Sequence, residues 1–347
     1  MSLHLTVRRG MTTAVTAVVV LGLGVAGASA APKPNLATVQ KQVTALQEEA
    51  EQATEEYNGA REKLASVTVM AAAATTRVAQ QRGQVEAARQ GLGKLAAETY
   101  KAGDLEMVSL MLSDDPEAAL AASGLHSSLS ERQAEAVAAL VAAQRRLTED
   151  QSNLGHQKAQ LATETKRLQA LKRQIETKLA DSRRLLARLD GSQRRAIAQM
   201  GGSGDQRAIA DAGIEVPATG LLHCEDVGID TTDAQARAAL NFACAQIGKP
   251  YRWGGSGPGS YDCSGLSMAA YAKAGISLPH NAAMQAQEGT SVSQANLQPG
   301  DLLFFNGYNH MGIYVGKGLM VHAPHTGDVV RIASARLDGR LIKAVRL

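Results

Sequence analysis

Aromatic residues make up only 3% of the 347 positions: one tryptophan, seven tyrosines and three phenylalanines. A chain this long with so few large apolar anchors is not one packed globule throughout, and most of its aromatics lie after residue 240. It also lacks a charge surplus. The formal net charge is +3, falling to +1 without Arg8 and Arg9, which excludes the basic footprint of a nucleic-acid binder. Beyond the first 30 residues no apolar run approaches the roughly 20 residues that span a bilayer. The three cysteines lack the paired short spacing of zinc sites, so neither a metal nor another cofactor is expected.

What the N-terminus does have is the layout of a secretory signal at 1–30. Arg8 and Arg9 precede an apolar stretch from Ala14 to Gly27, and Ala28-Ser29-Ala30 offers small residues for cleavage. Secretion to the cell wall or another extracytoplasmic site is the expectation. Export permits a Cys224–Cys244 disulfide, although Cys244 also reads as a small buried residue on a helix; Cys263 is then an odd thiol.

From Leu36 the apolar positions recur at steps of three and four: Val39, Val43, Leu46, Ala50, Ala53, Tyr57, Ala60, Leu64 and Val67, continuing through Val78, Val85 and Leu92. That is a heptad seam. A second seam runs Leu140, Leu147, Leu154, Leu161, Leu168 and Ile175, with mostly polar alternate positions such as Gln144, Gln151 and Lys158. Two helices of about 60 residues, broken at 101–130, suggest an antiparallel hairpin roughly 90 Å long, with an intermolecular coil as the other arrangement. The break holds Leu105, Met107, Leu110, Met111, Leu112, Leu120 and Leu125, and a helix start at Asp114-Asp115-Pro116. It is either a cap closing the hairpin or an apolar docking tip. The coiled-coil region is assigned to 31–200. Gly201-Gly202-Ser203-Gly204 and Pro217 to Gly220 mark a linker at 201–232.

From Asp233 the pattern becomes that of a compact mixed domain, 233–347. A helix is expected from Asp233 to Ile247, with Asp233 as its cap. Asp262-Cys263-Ser264-Gly265 opens a second helix, and short β-type runs follow at 302–305, 311–315, 319–322, 329–332 and 341–345. A thiol at a helix start is chemically apt, because the helix dipole favours the thiolate. His310 opens a strand and His322 ends the next one. A β-hairpin would set them side by side, so the spacing suits a nucleophile, a base and an orienting histidine. His325 reads as a solvated loop histidine.

Several ordered motifs carry a family resemblance. Lys249-Pro250-Tyr251-Arg252-Trp253-Gly254-Gly255, Asp262-Cys263-Ser264-Gly265, Gln298 to Phe305, and His310-Met311-Gly312-Ile313-Tyr314-Val315-Gly316 resemble NlpC-type cell-wall cysteine peptidases, papain-like enzymes that cut peptidoglycan stem peptides. The resemblance implies an α+β papain-like domain behind an all-α antiparallel coiled-coil hairpin. It implies Cys263 as nucleophile, His310 as base, His322 as orienting residue and Tyr251 in the oxyanion site. Asp262, Ser264 and Trp253 would bind substrate, with Asp262 and Ser264 on the free amino end of the stem. The implied cut lies between D-glutamate and the diamino acid. His280 stands where many relatives carry arginine. In pattern alone, the coil resembles those of division hydrolases that dock on FtsEX-type membrane complexes and stay inactive until signalled. The competing reading is a non-enzymatic wall-binding activator or scaffold working through its coil; an acyltransferase or amidase using the same cysteine is a narrower one.

Overall fold

The computed structural model describes residues 35–113, 118, 130–216, 221–336 and 341–347. The expected leader, Asp114 to Pro116, Leu120, Leu125 and Pro217 to Gly220 lie outside these residues. Helix α1 (Leu36–Lys101) runs 66 residues and α3 (Glu131–Ala187) runs 57. The ion pairs Lys63–Glu164 and Arg77–Asp150 and the contact of Lys178 with Glu49 set them antiparallel within one chain. The hairpin expectation therefore holds. Its seam is the expected α1 series, with Val43, Ala50, Ala53, Ala60, Val67, Val78, Val85 and Leu92 all buried. On α3 the seam is full only at its ends, Val137 to Ala143 and Leu171 to Leu179. Leu147, Leu154, Leu161 and Leu168 are half-buried, because two helices alone leave one flank of each to water.

After Gly103 turns the chain with φ +92°, the short helix α2 (Leu105–Met111) folds back. Met107 and Met111 bury against Leu92, Ala96, Val137 and Leu140. Tyr100, Leu105 and Leu112 point to solvent. The tip is thus a cap on one side and an exposed apolar surface on the other. Ser130 caps α3 through a reciprocal box with Gln133, which stops fraying where the hairpin re-enters.

The linker expected from residue 201 is displaced. Asp190 caps a new helix, α4 (Gly191–Asp211), which passes straight through Gly201 to Gly204. Each glycine costs about 1 kcal/mol relative to alanine inside a helix, and anchorage offsets it. Ile197 and Ile209 are buried, and Asp205 binds Arg331 at 2.7 Å and the Ser334 N–H at 3.0 Å.

In the C-terminal part, α5 (Cys224–Val227) is joined to α6 (Ala234–Cys244) by the Cys224–Cys244 disulfide. Asp233 caps α6 as expected. Helices α7 (Cys263–Lys273) and α8 (Ala282–Gln285) precede the strands. Six strands, β1 (Thr290–Ser291), β2 (Leu302–Phe305), β3 (His310–Gly316), β4 (Leu319–His322), β5 (Arg331–Ser334) and β6 (Leu341–Arg346), pair antiparallel in the order β1-β6-β2-β3-β4-β5. Strand β2 is buried on both faces, its Leu302 and Phe304 in the core shared with α6 and α7, its Leu303 and Phe305 in a second cluster with Met320 and Ala344. The α+β architecture behind a helical hairpin is the one the sequence suggested. Among the described residues no helix is long and apolar enough to cross a membrane.

Candidate active site

Cys263 is the first residue of α7 and the chain's one free cysteine. Asp262 caps the helix by accepting from the Gly265 N–H at 2.7 Å. Glycine at 265 is required, since a Cβ there would collide with the Gly255 carbonyl oxygen. That packing closes the Gly254–Gly255 turn onto the cysteine helix. The Gly254 N–H and His280 Nε2 also meet Asp262, each at 2.8 Å. On the facing sheet, the β3–β4 hairpin pairs Ile313 with Val321, and this register brings His310 Nε2 within 2.7 Å of His322 Nδ1. Helix α7 packs on β3, with Ser267 Oγ 3.4 Å from Sδ of Met311, the residue next along the strand from His310. The helix bearing the thiol and the strand bearing His310 thus lie against each other. Tyr251 is buried beside them, and Trp253 is partly buried at the edge of the same cleft.

What fills this cleft was not foreshadowed by any motif or spacing. Gln47, Glu51, Glu55, Asn58 and Glu62, spaced four, four, three and four along α1, form one polar face. It docks on the catalytic surface. Glu55 Oε1 accepts from Ser264 Oγ at 2.7 Å and lies 3.5 Å from the Cys263 sulfur. Its Oε2 accepts from the Ala282 N–H at 2.6 Å and from Asn281 Nδ2 at 3.3 Å. Asn58 Nδ2 donates to Asp262 Oδ2 at 2.9 Å. Glu62 accepts from the His280 N–H at 3.0 Å, and Gln47 meets His325 at 3.1 Å. Tyr57 stands edge-on to Trp253, ring centres 5.3 Å apart. His325, expected to be a solvated loop residue, is therefore partly covered by α1.

Beside His325 a space of about 10 Å³ remains, lined also by Glu51, Tyr251 and the α3 residues Ile175 and Leu179. That holds a water at most. An open cleft of about 550 Å³ continues outward between Leu179 and Arg183 on one side and Tyr251 to Trp253 on the other.

Burial dominates the electrostatics. It pushes the Cys263 thiol well up, and Glu55, Asp262 and Glu51 push it further, against the Met311 N–H. It brings His310 down to about 3, helped by His325 and Arg331, and holds His322 low as well. Burial and then Asp262 raise Glu55 to about 7, while burial, Glu48 and Glu55 raise Glu51. Glu51 Oε2 lies 3.6 Å from His310 Nδ1. With the carboxyl raised and the imidazole lowered, this is a contact of neutral groups, not an ion pair. Burial lowers His280, but its bond to Asp262 together with the Asp262 and Glu55 charges outweighs that and leaves it raised. The thiolate–imidazolium pair that thiol chemistry needs is thus suppressed in this arrangement.

At this site three buried side-chain atoms lack hydrogen-bond partners: Asn58 Oδ1, His310 Nδ1 and His322 Nε2. Each such atom costs about 1–3 kcal/mol. Among the described residues no cluster of histidine, cysteine and acidic side chains could hold a metal ion.

Residues 248–344 match the NlpC/P60 family. A probable endopeptidase of Mycobacterium tuberculosis is 41% identical over 135 residues, 39% of this chain and 35% of that protein. A probable endopeptidase p60 of Listeria monocytogenes is 48% identical over 84 residues, 23% of this chain and 17% of that protein. The matched stretch thus spans about a third or less of these curated relatives' lengths. A solved NlpC/p60 domain of the peptidoglycan hydrolase SagA is 32% identical, covering 32% of this chain and 98% of that one, with a TM-score of 0.30.

Proposed function

Starting from a chain whose residues 248–344 are an NlpC/P60 domain, we propose that it is an exported cysteine endopeptidase that cuts peptidoglycan stem peptides, and that α1 holds it inactive. The observation carrying this reading is that Cys263 starts a capped helix packed on the strand of His310, whose imidazole pairs with His322 at 2.7 Å. The proposed cut lies between D-glutamate and the diamino acid.

When α1 withdraws, water and substrate enter, and the thiol is relieved of the burial, and of the facing Glu55 carboxylate, that hold it protonated. Cys263 then passes its proton to His310, whose tautomer His322 fixes through their shared hydrogen bond. The thiolate attacks the scissile carbonyl. The Cys263 backbone N–H and the Tyr251 hydroxyl receive the developing oxyanion. His310 protonates the leaving amine, then takes a proton from the water that hydrolyses the thioester. Asp262, Ser264 and Trp253 are assigned to substrate binding on the acyl side.

Export is supported by the Cys224–Cys244 disulfide, a bond that persists in oxidising compartments. Docking of the hairpin tip on an FtsEX-type membrane complex is supported by the exposed Tyr100, Leu105 and Leu112. The filled cleft favours a second reading, a wall-binding scaffold that never opens. Incubating the whole mature chain with muropeptides and weighing the products separates the two. The endopeptidase reading expects masses of a cut after D-glutamate, lost in Cys263→Ala and faster in Glu55→Ala. No cleavage by any of these variants refutes it.

A further inference from the structure

The polar face of α1 does more than cover the thiol. Glu55 is gripped by three donors from two segments: Ser264 Oγ on one, the Ala282 N–H and Asn281 Nδ2 on the other. Between them they reach both oxygens of its carboxylate. One turn along, Asn58 Nδ2 meets Asp262 Oδ2 at 2.9 Å and Ser264 Oγ at 3.4 Å. Asn58 fits this place badly. Its Nδ2 finds acceptors, but its Oδ1 is buried with no donor to receive. A group with donors only would leave nothing orphaned, and an ammonium would also bring the positive charge that complements Asp262. The two α1 groups lie close together, with Asn58 Nδ2 only 3.4 Å from Glu55 Oε1.

We propose that Glu55 and Asn58 are a built-in ligand mimic. They occupy a bipolar subsite whose free ligand places an ammonium at Asp262 and a carboxylate at Ser264, Asn281 and Ala282. Helix and ligand exclude one another there, so α1 restrains the enzyme by competition for recognition groups as well as by bulk. This deepens the endopeptidase reading and rests on it for the choice of ligand, a stem fragment with a free amine beside a D-glutamate carboxylate. Because docking and ligand use the same atoms, any change that weakens docking strengthens ligand binding by the corresponding factor. The mismatch at Asn58 has a use in this scheme. It keeps the helix a poorer occupant than the ligand, so that docking stays reversible.

The test is calorimetric titration of the whole chain, carrying Cys263→Ala to prevent turnover, with L-alanyl-D-glutamate. N-acetyl-L-alanyl-D-glutamate and L-alanyl-D-isoglutamine serve as probes lacking the ammonium and the α-carboxylate. Adding Glu55→Ala and Asn58→Ala together is expected to tighten binding of the free dipeptide at least tenfold. Loss of either charge from the dipeptide should weaken it at least tenfold. Should circular dichroism show that the double variant does not fold, Glu55→Gln keeps the shape and is expected to give a smaller gain in the same direction. Equal affinity with and without the two α1 side chains overturns the proposal, as does equal binding of the acetylated dipeptide or no binding by any folded variant. Failure of the endopeptidase reading looks different: the affinity pattern appears, but muropeptides stay intact. Cleavage combined with flat affinities would sink the mimic and leave the endopeptidase standing.

Discussion

Replacing Glu55 with glutamine should change how the cleft responds to pH, and the size of the change follows from the burial of this one side chain. Docked, the Glu55 carboxyl is raised from 4.5 to about 7, by burial first and by Asp262 second. Undocked, on a solvated helix face, it returns to the ordinary glutamate range. A group that binds its proton more tightly in the docked state favours docking at low pH. Its contribution is full below about 4.5, is lost progressively up to about 7, and changes no further above that. At 1.36 kcal/mol per pH unit, the loss is roughly 3 kcal/mol, or a few hundredfold in the opening equilibrium. Glutamine cannot titrate, so the variant lacks this component. The assay is the rate at which dithiodipyridine captures Cys263, buried at 3% exposure when α1 is docked. At each pH the ratio of wild-type to Glu55→Gln rates cancels the intrinsic reactivity of the opened thiol, which is the same group in both. It also cancels the opposing response of His310, which is held near 3 and so disfavours docking as pH falls below the usual histidine range. The ratio should climb by two to three orders of magnitude between pH 4.5 and 7 and then level off. A ratio flat across that window would refute the buried, proton-linked role of Glu55.

Three further outcomes are expected. His322→Ala should lower kcat on muropeptides about a hundredfold or more with a smaller change in KM, because His310 loses the partner that fixes its tautomer; an unchanged kcat removes the orienting role. Breaking the Cys224–Cys244 bond by serine at both positions, a separation of 20 residues, should cost about 3 kcal/mol in denaturant unfolding of the C-terminal part without altering Cys263 capture in native buffer. Leu105→Glu with Leu112→Glu, both exposed, should leave helicity and turnover intact while abolishing recruitment of the chain to membranes bearing the FtsEX-type complex; lost helicity would show that these residues belong to the cap.

Much of the catalytic half was legible before any coordinate. Asp233 and Asp262 precede helical spacing, and short carboxylates cap helices by local bonds that need no distant partner. His310 and His322 open and close consecutive strands, so hairpin register alone brings them together. The α1 seam was equally readable, because a 3.5-residue apolar period names the face that meets another helix. Neighbour-range signals failed at Gly201 to Gly204. There glycine punctuation argued for a linker, and the helix persists because anchors on both sides, Asp190 at its cap and Asp205 on Arg331, lie outside any local window.

The tertiary structure alone decided the fate of the other α1 face. Gln47, Glu51, Glu55, Asn58 and Glu62 have the composition of a solvated coil flank, and a polar stripe reads the same whether it meets water or a polar protein surface. Only folding brings Asn58 to Asp262, 204 positions away, and Glu55 to Ser264, 209 positions away. Sequence thus determined that Cys263 sits at a helix start, in a motif order shared with the NlpC/P60 family, because capping and strand spacing are local. That its thiol is buried, raised and faced by carboxylates was settled by long-range docking, where desolvation outweighs the helix dipole that would otherwise favour the thiolate.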